Sequence, residues 1–171
     1  MPDRVVVRRI GPDDWEVSRQ VRLTALAEAP YAFMSTLASE QQFADHVWRD
    51  RLSSAAAATF LAWVDGEPVG TATGKIDDPA DEFTVQGSWQ LVGMWVDPCA
   101  RGAGVADRLV ERVAGHAREH RATAVTLWVT EVNARALAFY QRMGFVLTGA
   151  RQPVGQTEPD HWEQQMIRRF M

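Results

Sequence analysis

Apolar residues recur along the chain with two different periods, and the switches between them divide it into elements. Residues 4–10 form a β-branched run, Val5-Val6-Val7 closing on Ile10, which predicts a first strand. Asp13 stands three residues before Glu16, the spacing of a capping box, and Val17, Val21 and Ala25 then follow helical spacing as far as Pro30. Phe43, Val47 and Leu52 predict a second helix over residues 40–52. Residues 59–64 and 69–76 read as two strands joined by the hairpin signal Asp65-Gly66. After an acidic turn around Pro79, residues 83–96 predict a long extended stretch ending at Asp97-Pro98. Val105, Leu109, Val113 and Ala117 place a helix over residues 103–120, and alternating Val125, Leu127 and Val129 place a strand over residues 123–130. A short helix over residues 133–143 ends at Gly144, a residue suited to the left-handed position after a helix. Residues 145–148 and 162–167 complete the pattern as two strands. The order β-α-α-β-β-β-α-β-α-β-β predicts an α/β fold, a mixed and mostly antiparallel sheet flanked by helices, with one parallel crossover in the second half.

Composition narrows the class. A chain of 171 residues with 46% hydrophobic and 23% charged residues is expected to form a single domain with its own core, here spanning residues 1–171. No apolar run is long enough to cross a bilayer, and the charged first ten residues have no signal-peptide core, so a cytoplasmic protein without membrane contact is expected. Cys99 is the sole cysteine, which excludes an intramolecular disulfide and a cysteine-based zinc site. The net charge of −4 argues against a nucleic-acid partner and mildly favours a cationic substrate.

The chemistry concentrates where residues 91–96 run through Asp97-Pro98 into Arg101, Gly102, Ala103, Gly104, Val105 and Ala106. Small residues opening a helix leave unobstructed backbone N–H groups at its positive end, a geometry that binds phosphate. The loop lacks the Gly-Lys-Ser/Thr ending of a Walker loop, and Asp107 stands where a dinucleotide fingerprint needs a third small residue.

The run Arg101-x-x-Gly104-x-Ala106 after a Val-Asp-Pro strand end resembles the acetyl-CoA signature of the GCN5-related N-acetyltransferase (GNAT) superfamily. Downstream, Asn133-x-Arg135-Ala136-x-x-Phe139-Tyr140-x-x-x-Gly144-Phe145 resembles that family's following helix, and residues 30–40 resemble a segment between the first two helices of some bacterial members. The resemblance implies a GNAT-like fold with splayed central strands, an enzyme, and acetyl-CoA as co-substrate. It implies that residues 101–106 wrap the CoA pyrophosphate and that Met94, Trp95 and Val96 pair their backbone with the pantetheine arm. A backbone N–H at position 94 or 96 would then stabilise the oxyanion. Asn133 would reach the pantetheine, a role that competes with plain helix capping. Arg135 and Phe139 would meet the CoA phosphates and pack on CoA. Tyr140 is the candidate catalytic acid, a phenol able to protonate the leaving thiolate.

An alkyl ammonium with pKa about 10.4 must lose a proton before attacking, and the strand before Met94 carries no carboxylate. Glu40, Glu82 and Glu131 are the candidate bases, each weighed against a plain solvated surface charge, with His161 a lesser one; Cys99 reads as a bystander. Trp89 and Trp95 are candidates to line the acceptor pocket, and residues 31–41 and 149–160 to select the acceptor. The leading expectation is therefore an acetyl-CoA-dependent N-acetyltransferase acting on a small-molecule or peptide amine by direct attack in a ternary complex, in a possible homodimer. A non-catalytic acyl-CoA-binding regulatory module and a protein N-terminal acetyltransferase are the alternatives. No metal site is expected.

Overall fold

The computed structural model describes residues 4–155 and 160–171. Seven strands form one sheet in the order β1-β2-β3-β4-β5-β7-β6, with β1 Val5–Arg9, β2 Ala57–Val64, β3 Glu67–Ile76, β4 Ser88–Val96, β5 Ala124–Thr130, β6 Val146–Pro153 and β7 Trp162–Arg169. Every neighbouring pair is antiparallel except β4 and β5. The helices are α1 Trp15–Glu28, α2 Leu37–Glu40, α3 Asp45–Ser53, α4 Val105–Glu119 and α5 Ala134–Arg142. Among them no helix is long and apolar enough to cross a membrane.

Alternation along the strands sorts the core onto two faces. Phe60, Ala62, Ala72, Leu91, Val125, Leu127 and Met166 point to one face and pack with Leu109, Val113 and Ala117 of α4 and with Tyr140 and Phe145. Leu61 and Trp95 point to the other and pack with Val21 and Ala25 of α1. The spacing of Val105, Leu109, Val113 and Ala117 buries a single stripe of α4, as the 3.6-residue period requires.

The expected mixed sheet with a parallel crossover is present, and three local expectations are corrected. The helix expected over residues 40–52 is two helices, because the Glu40 side chain turns inward at the end of α2 and the chain makes a further turn before α3. Trp48, not Val47, is the residue that α3 buries most completely, with Phe43 from the turn 5.9 Å from its ring. The extended stretch begins at Ser88, not at residue 83. Residues 77–87 instead turn across the α1 face, where the Phe83 ring lies 5.4 Å from Trp128 and the Phe83 carbonyl accepts from Gln165 at 3.0 Å. The helix expected from residue 103 begins at Val105, because Gly104 takes the left-handed conformation (φ +79) as its cap.

The parallel seam is short. Only Ser88, Trp89 and Gln90 pair with Ala124, Val125 and Thr126. A buried polar knot fastens this end: Asp77 Oδ2 accepts from Ser88 Oγ at 2.8 Å and from Thr126 Oγ1 at 3.0 Å. Both hydroxyl residues are buried; Ser88 Oγ also has the Val85 carbonyl at 2.6 Å, so the loss of Asp77 orphans Thr126, and an unpaired buried hydroxyl costs about 1–3 kcal/mol. Asp77→Ala is therefore expected to destabilise the fold by about 2 kcal/mol, lowering the melting temperature by roughly 4–8 °C. Thermal unfolding followed by circular dichroism checks this.

Candidate active site

Beyond Gln90 and Thr126 the two central strands separate. β4 stays with β3 up to Val96 opposite Gly70, while β5 stays with β7 up to Thr130 opposite Glu163. The parting follows a bulge in β4: Thr71 opposes Trp95 and Thr73 opposes Val92, so Gly93 and Met94 together face a single residue of β3. Gly93 has φ +61, a conformation that suits glycine. A cavity of about 990 Å³ fills the parting, bounded by both strands, the loop before α4, one side of α5 and residues 31–33.

Backbone polarity gives this cavity its character. The Asp97 N–H donates to Val69 on β3, so by alternation Trp95 also addresses β3 while Met94 and Val96 address the gap. Backbone groups are obligatory hydrogen-bonders, and on this edge no strand meets them. At the head of the gap, the first backbone bond into α4 runs from the Arg108 N–H to the Gly104 carbonyl at 3.2 Å. Among the described residues, the N–H groups of residues 102–107 have no backbone acceptor. Gly102 and Gly104 both have positive φ, and a Cβ at either would meet nothing within 4 Å. A row of donors at the positive end of a fifteen-residue helix is built for an anion.

The expected site residues converge here, except one. Met94, Trp95, Val96, Arg101, Gly102, Gly104, Val105, Ala106, Asn133, Arg135, Phe139 and Tyr140 all line the cavity, and Ala103 does not. Several serve differently from the simplest expectation. The Arg101 guanidinium turns back, donating to the Val96 carbonyl at 3.0 Å and to Glu28 Oε2 at 3.1 Å, so it braces the loop. The same Glu28 oxygen accepts from Trp95 Nε1 at 2.8 Å, tying the end of α1 to β4. Val105 is buried and offers only its backbone. Asn133 caps α5, its Oδ1 accepting from the Ala136 N–H at 3.0 Å, while its amide nitrogen stays available to donate. Asp107, which alone would repel an anion, is paired with Arg142 at 2.8 and 3.0 Å. The Arg142 hydrogen bond holds its carboxyl below the usual aspartate range.

Tyr140 sits between Phe139 and Phe145, at centroid distances of 5.1 and 5.8 Å. Burial pushes its phenol well above the ordinary value, so the group stays protonated. Its hydroxyl makes no hydrogen bond among the described residues. Trp89 is not at the cavity. It packs beneath the far half of α4, 5.2 Å from His116, because the strand alternation points it to the α4 face.

Of the expected bases, Glu82 is exposed on the turn and Glu131 is paired with Arg151 at 2.5 and 3.0 Å. His161 is exposed just before β7 and does not line the cavity. Glu40 is the larger surprise, with a completely buried side chain where a surface charge was the plain expectation. Arg22 donates to it at 2.9 and 3.1 Å and Arg51 at 3.2 Å. Burial works to raise its carboxyl, but Arg22, together with Ser35 and Arg51, outweighs that and holds it below the ordinary range. The Arg22 guanidinium also lies 4.7 Å from the Phe33 ring centroid and against Gly93. The buried carboxylate thus positions the cavity floor. Residues 31–33 of the first expected acceptor segment line the cavity; residues 156–159 of the second lie outside the described residues.

Sequence patterning missed two participants. Glu163 lines the cavity, and Glu28 anchors both Trp95 and Arg101. Neither lies in a motif, and only the strand register and the helix end bring them in.

With this geometry established, residues 23–145 match the acetyltransferase (GNAT) family profile. The chain belongs to that family. It is 33% identical over 150 residues to the mycothiol acetyltransferase of Salinispora tropica, covering 85% of this chain and 46% of that protein. It is 33% identical over 82 residues to the peptidyl-lysine N-acetyltransferase YjaB of Escherichia coli, covering 48% and 52%. It spans about half the length of these curated relatives. Salmonella typhimurium yncA, solved with its cofactor acetyl-CoA, superposes with a TM-score of 0.75 at 16% identity, covering 96% of this chain and 93% of that one, a likeness of fold.

Removing one member of a buried ion cluster leaves the others uncompensated, a loss of about 3–5 kcal/mol when all are fully buried. Arg22 and Arg51 retain 24% and 42% side-chain exposure, which reduces it. Glu40→Ala is expected to cost about 2–3 kcal/mol at neutral pH. Because the folded carboxyl lies below the ordinary 4.5, this contribution is present above that value and declines as the pH falls through the folded value. Urea unfolding of both proteins from pH 7 to pH 3 is expected to show the gap closing on the acid side.

Proposed function

We propose that the chain is an acetyl-CoA-dependent N-acetyltransferase that moves the acetyl group to a primary amine by direct attack within a ternary complex. The observation that carries this reading is the parted β4–β5 seam, which opens at one end onto the N–H groups of residues 102–106, without backbone acceptors among the described residues, and has Tyr140 in its wall. A long ligand with an anionic middle and an extended amide-bearing arm fits that shape. The residue 102–106 N–H groups would hold the pyrophosphate, with the glycines letting it approach closely. The outward backbone of Met94 and Val96 would pair with the arm as a strand would, and the Asn133 amide would add a donor. Arg135, exposed at the start of α5, would meet a phosphate, and Phe139 would pack on the ligand.

When bound, acetyl-CoA supplies an activated acetyl thioester. The acceptor amine forms the C–N bond as the C–S bond breaks. Backbone N–H groups at the β4 edge face the place where carbonyl charge develops. Tyr140, in the cavity wall, would hydrogen-bond the departing sulfur and hand over its proton as it recovers one from the reacting nitrogen, so that no free phenolate forms in the buried site. The name of the Escherichia coli relative, a peptidyl-lysine N-acetyltransferase, supports a primary amine as acceptor class.

Two outcomes test this reading. Acetyl-CoA at 100 times its dissociation constant adds about 2.7 kcal/mol to stability, so the melting temperature is expected to rise by about 5–10 °C. Gly104→Val is expected to remove that rise. Space exists for the side chain, but φ +79 is strained for valine, so the loop re-aims its donors. Tyr140→Phe keeps the ring and loses only the hydroxyl. It is expected to lower kcat and kcat/KM together by at least about tenfold while leaving the acetyl-CoA melting shift unchanged. Steady-state thiol release with a panel of alkyl diamines and lysine-containing peptides, beside thermal shift, gives both readings.

A further inference from the structure

Two carboxylates line the cavity, Asp107 and Glu163. Asp107 is occupied by Arg142, and the carboxylates just outside, Glu28 and Glu131, are occupied by Arg101 and Arg151. Glu163 has no arginine among the described residues. Its hydrogen bond is to a neutral group, with Gln152 Nε2 donating to Oε1 at 2.7 Å, which leaves the second oxygen without a donor among the described residues. Register fixes where it points. Glu163 opposes Thr130 on β5 and Gln152 on β6, and these three share the face of the sheet that α1 covers. The Glu131–Arg151 pair, stacked on Trp162, lies on the opposite face, so its cation does not reach round to neutralise Glu163. Glu163 therefore enters the cavity from the side bounded by residues 31–33.

We propose that Glu163 is the catalytic base, taking a proton from an acceptor that arrives as an alkylammonium ion, and that its uncompensated charge selects a cationic amine. This deepens the acetyltransferase reading and rests on it. The strand that leads to Met94 carries no carboxylate, so the β7 position supplies the group that β4 lacks. The first ammonium proton passes to the Glu163 carboxylate and from there to solvent. The freed nitrogen lone pair forms the C–N bond, and the C–S bonding pair leaves on sulfur. Tyr140 protonates that sulfur, and the second proton released from nitrogen restores Tyr140. One proton is produced per turnover. Burial raises the Glu163 carboxyl above the ordinary range, although the Gln152 hydrogen bond opposes it, which brings its basicity nearer to neutral pH.

The test uses the full chain, acetyl-CoA and the best acceptor from the amine panel. Glu163→Gln is expected to keep the acetyl-CoA melting shift and to lose about 100-fold in kcat/KM at pH 7. The wild-type pH profile is expected to rise on an acid limb to a plateau. In Glu163→Gln the break to that plateau disappears, and kcat/KM climbs about tenfold per pH unit all the way toward the amine pKa of about 10.4, closing the gap. Loss of that break in the variant separates Glu163 from His161, Asp107 and Tyr140, which remain. Glu163→Ala is expected to be stimulated several-fold by formate, whereas Tyr140→Phe is not. A purely structural role would lower kcat/KM equally at every pH and give no rescue. Activity of Glu163→Gln within twofold of wild type at pH 7 overturns the proposal. So does a wild-type profile without an acid limb, or a folded Glu163→Ala that formate leaves inert. If Glu163→Gln fails to fold, the wild-type limb and the formate rescue decide alone. Absence of thiol release by the wild type with every amine overturns the acetyltransferase reading itself, a result distinct from an indifferent Glu163 variant in an active enzyme.

Discussion

The early end of the β4–β5 pairing is the constraint on which the rest depends. Parallel strands normally satisfy each other along their length, yet here the shared ladder stops at Gln90 and Thr126. Below that point the Asp77 knot holds the strands together, and above it the Gly93 bulge turns β4 away while β5 remains with β7. A sheet split in this way exposes two backbone edges that no internal strand can satisfy. Hydrogen-bonding groups in such a cleft call for a partner shaped like a strand, and that requirement makes the cleft a site for an extended ligand.

Charge around the cleft is distributed so that acids do not compete with the helix end. Two carboxylates near residues 102–107 are bound to guanidiniums: Asp107 by Arg142 and Glu28 by Arg101. The site keeps the attractive field of the α4 terminus because neighbouring charges cancel locally. The buried Glu40, gripped by Arg22 and Arg51, plays a mechanical part by holding Arg22 against Gly93 and Phe33. The contrast with Glu163 is chemical. A carboxylate between two guanidiniums is a poor base, whereas one beside an amide retains the affinity for a proton that acid–base work needs.

Much of this was legible in the chain. The stripe of α4 follows from Val105, Leu109, Val113 and Ala117, and the strand pattern from Val125, Leu127 and Val129, because a 3.6- or 2-residue period has only one way to bury a face. Gly102 and Gly104 announced a loop of unobstructed backbone N–H groups, and Gly144 the end of α5; the structure adds that all three have positive φ. The row of unobstructed N–H groups before α4 was legible because it is made of backbone local to one loop.

What the tertiary structure alone decided are contacts between residues far apart in sequence. Glu40 appears in the chain as one acid near a helix start, and only packing brings Arg22 and Arg51 to it. Glu28 ends α1 without remark, yet it meets Trp95 and Arg101 some seventy positions later. Trp89 and Trp95 lie six positions apart, which the pleat alone would put on one face; the extra residue of the Gly93–Met94 bulge sends Trp95 toward α1 while Trp89 stays under α4. Glu163 becomes a cleft residue only through the pairing of β7 with β5 and of β6 with β7. Local periodicity encodes which residues turn inward, because that depends on near neighbours. Which charges meet depends on strand order and register, which emerge only when the whole sheet closes on its core.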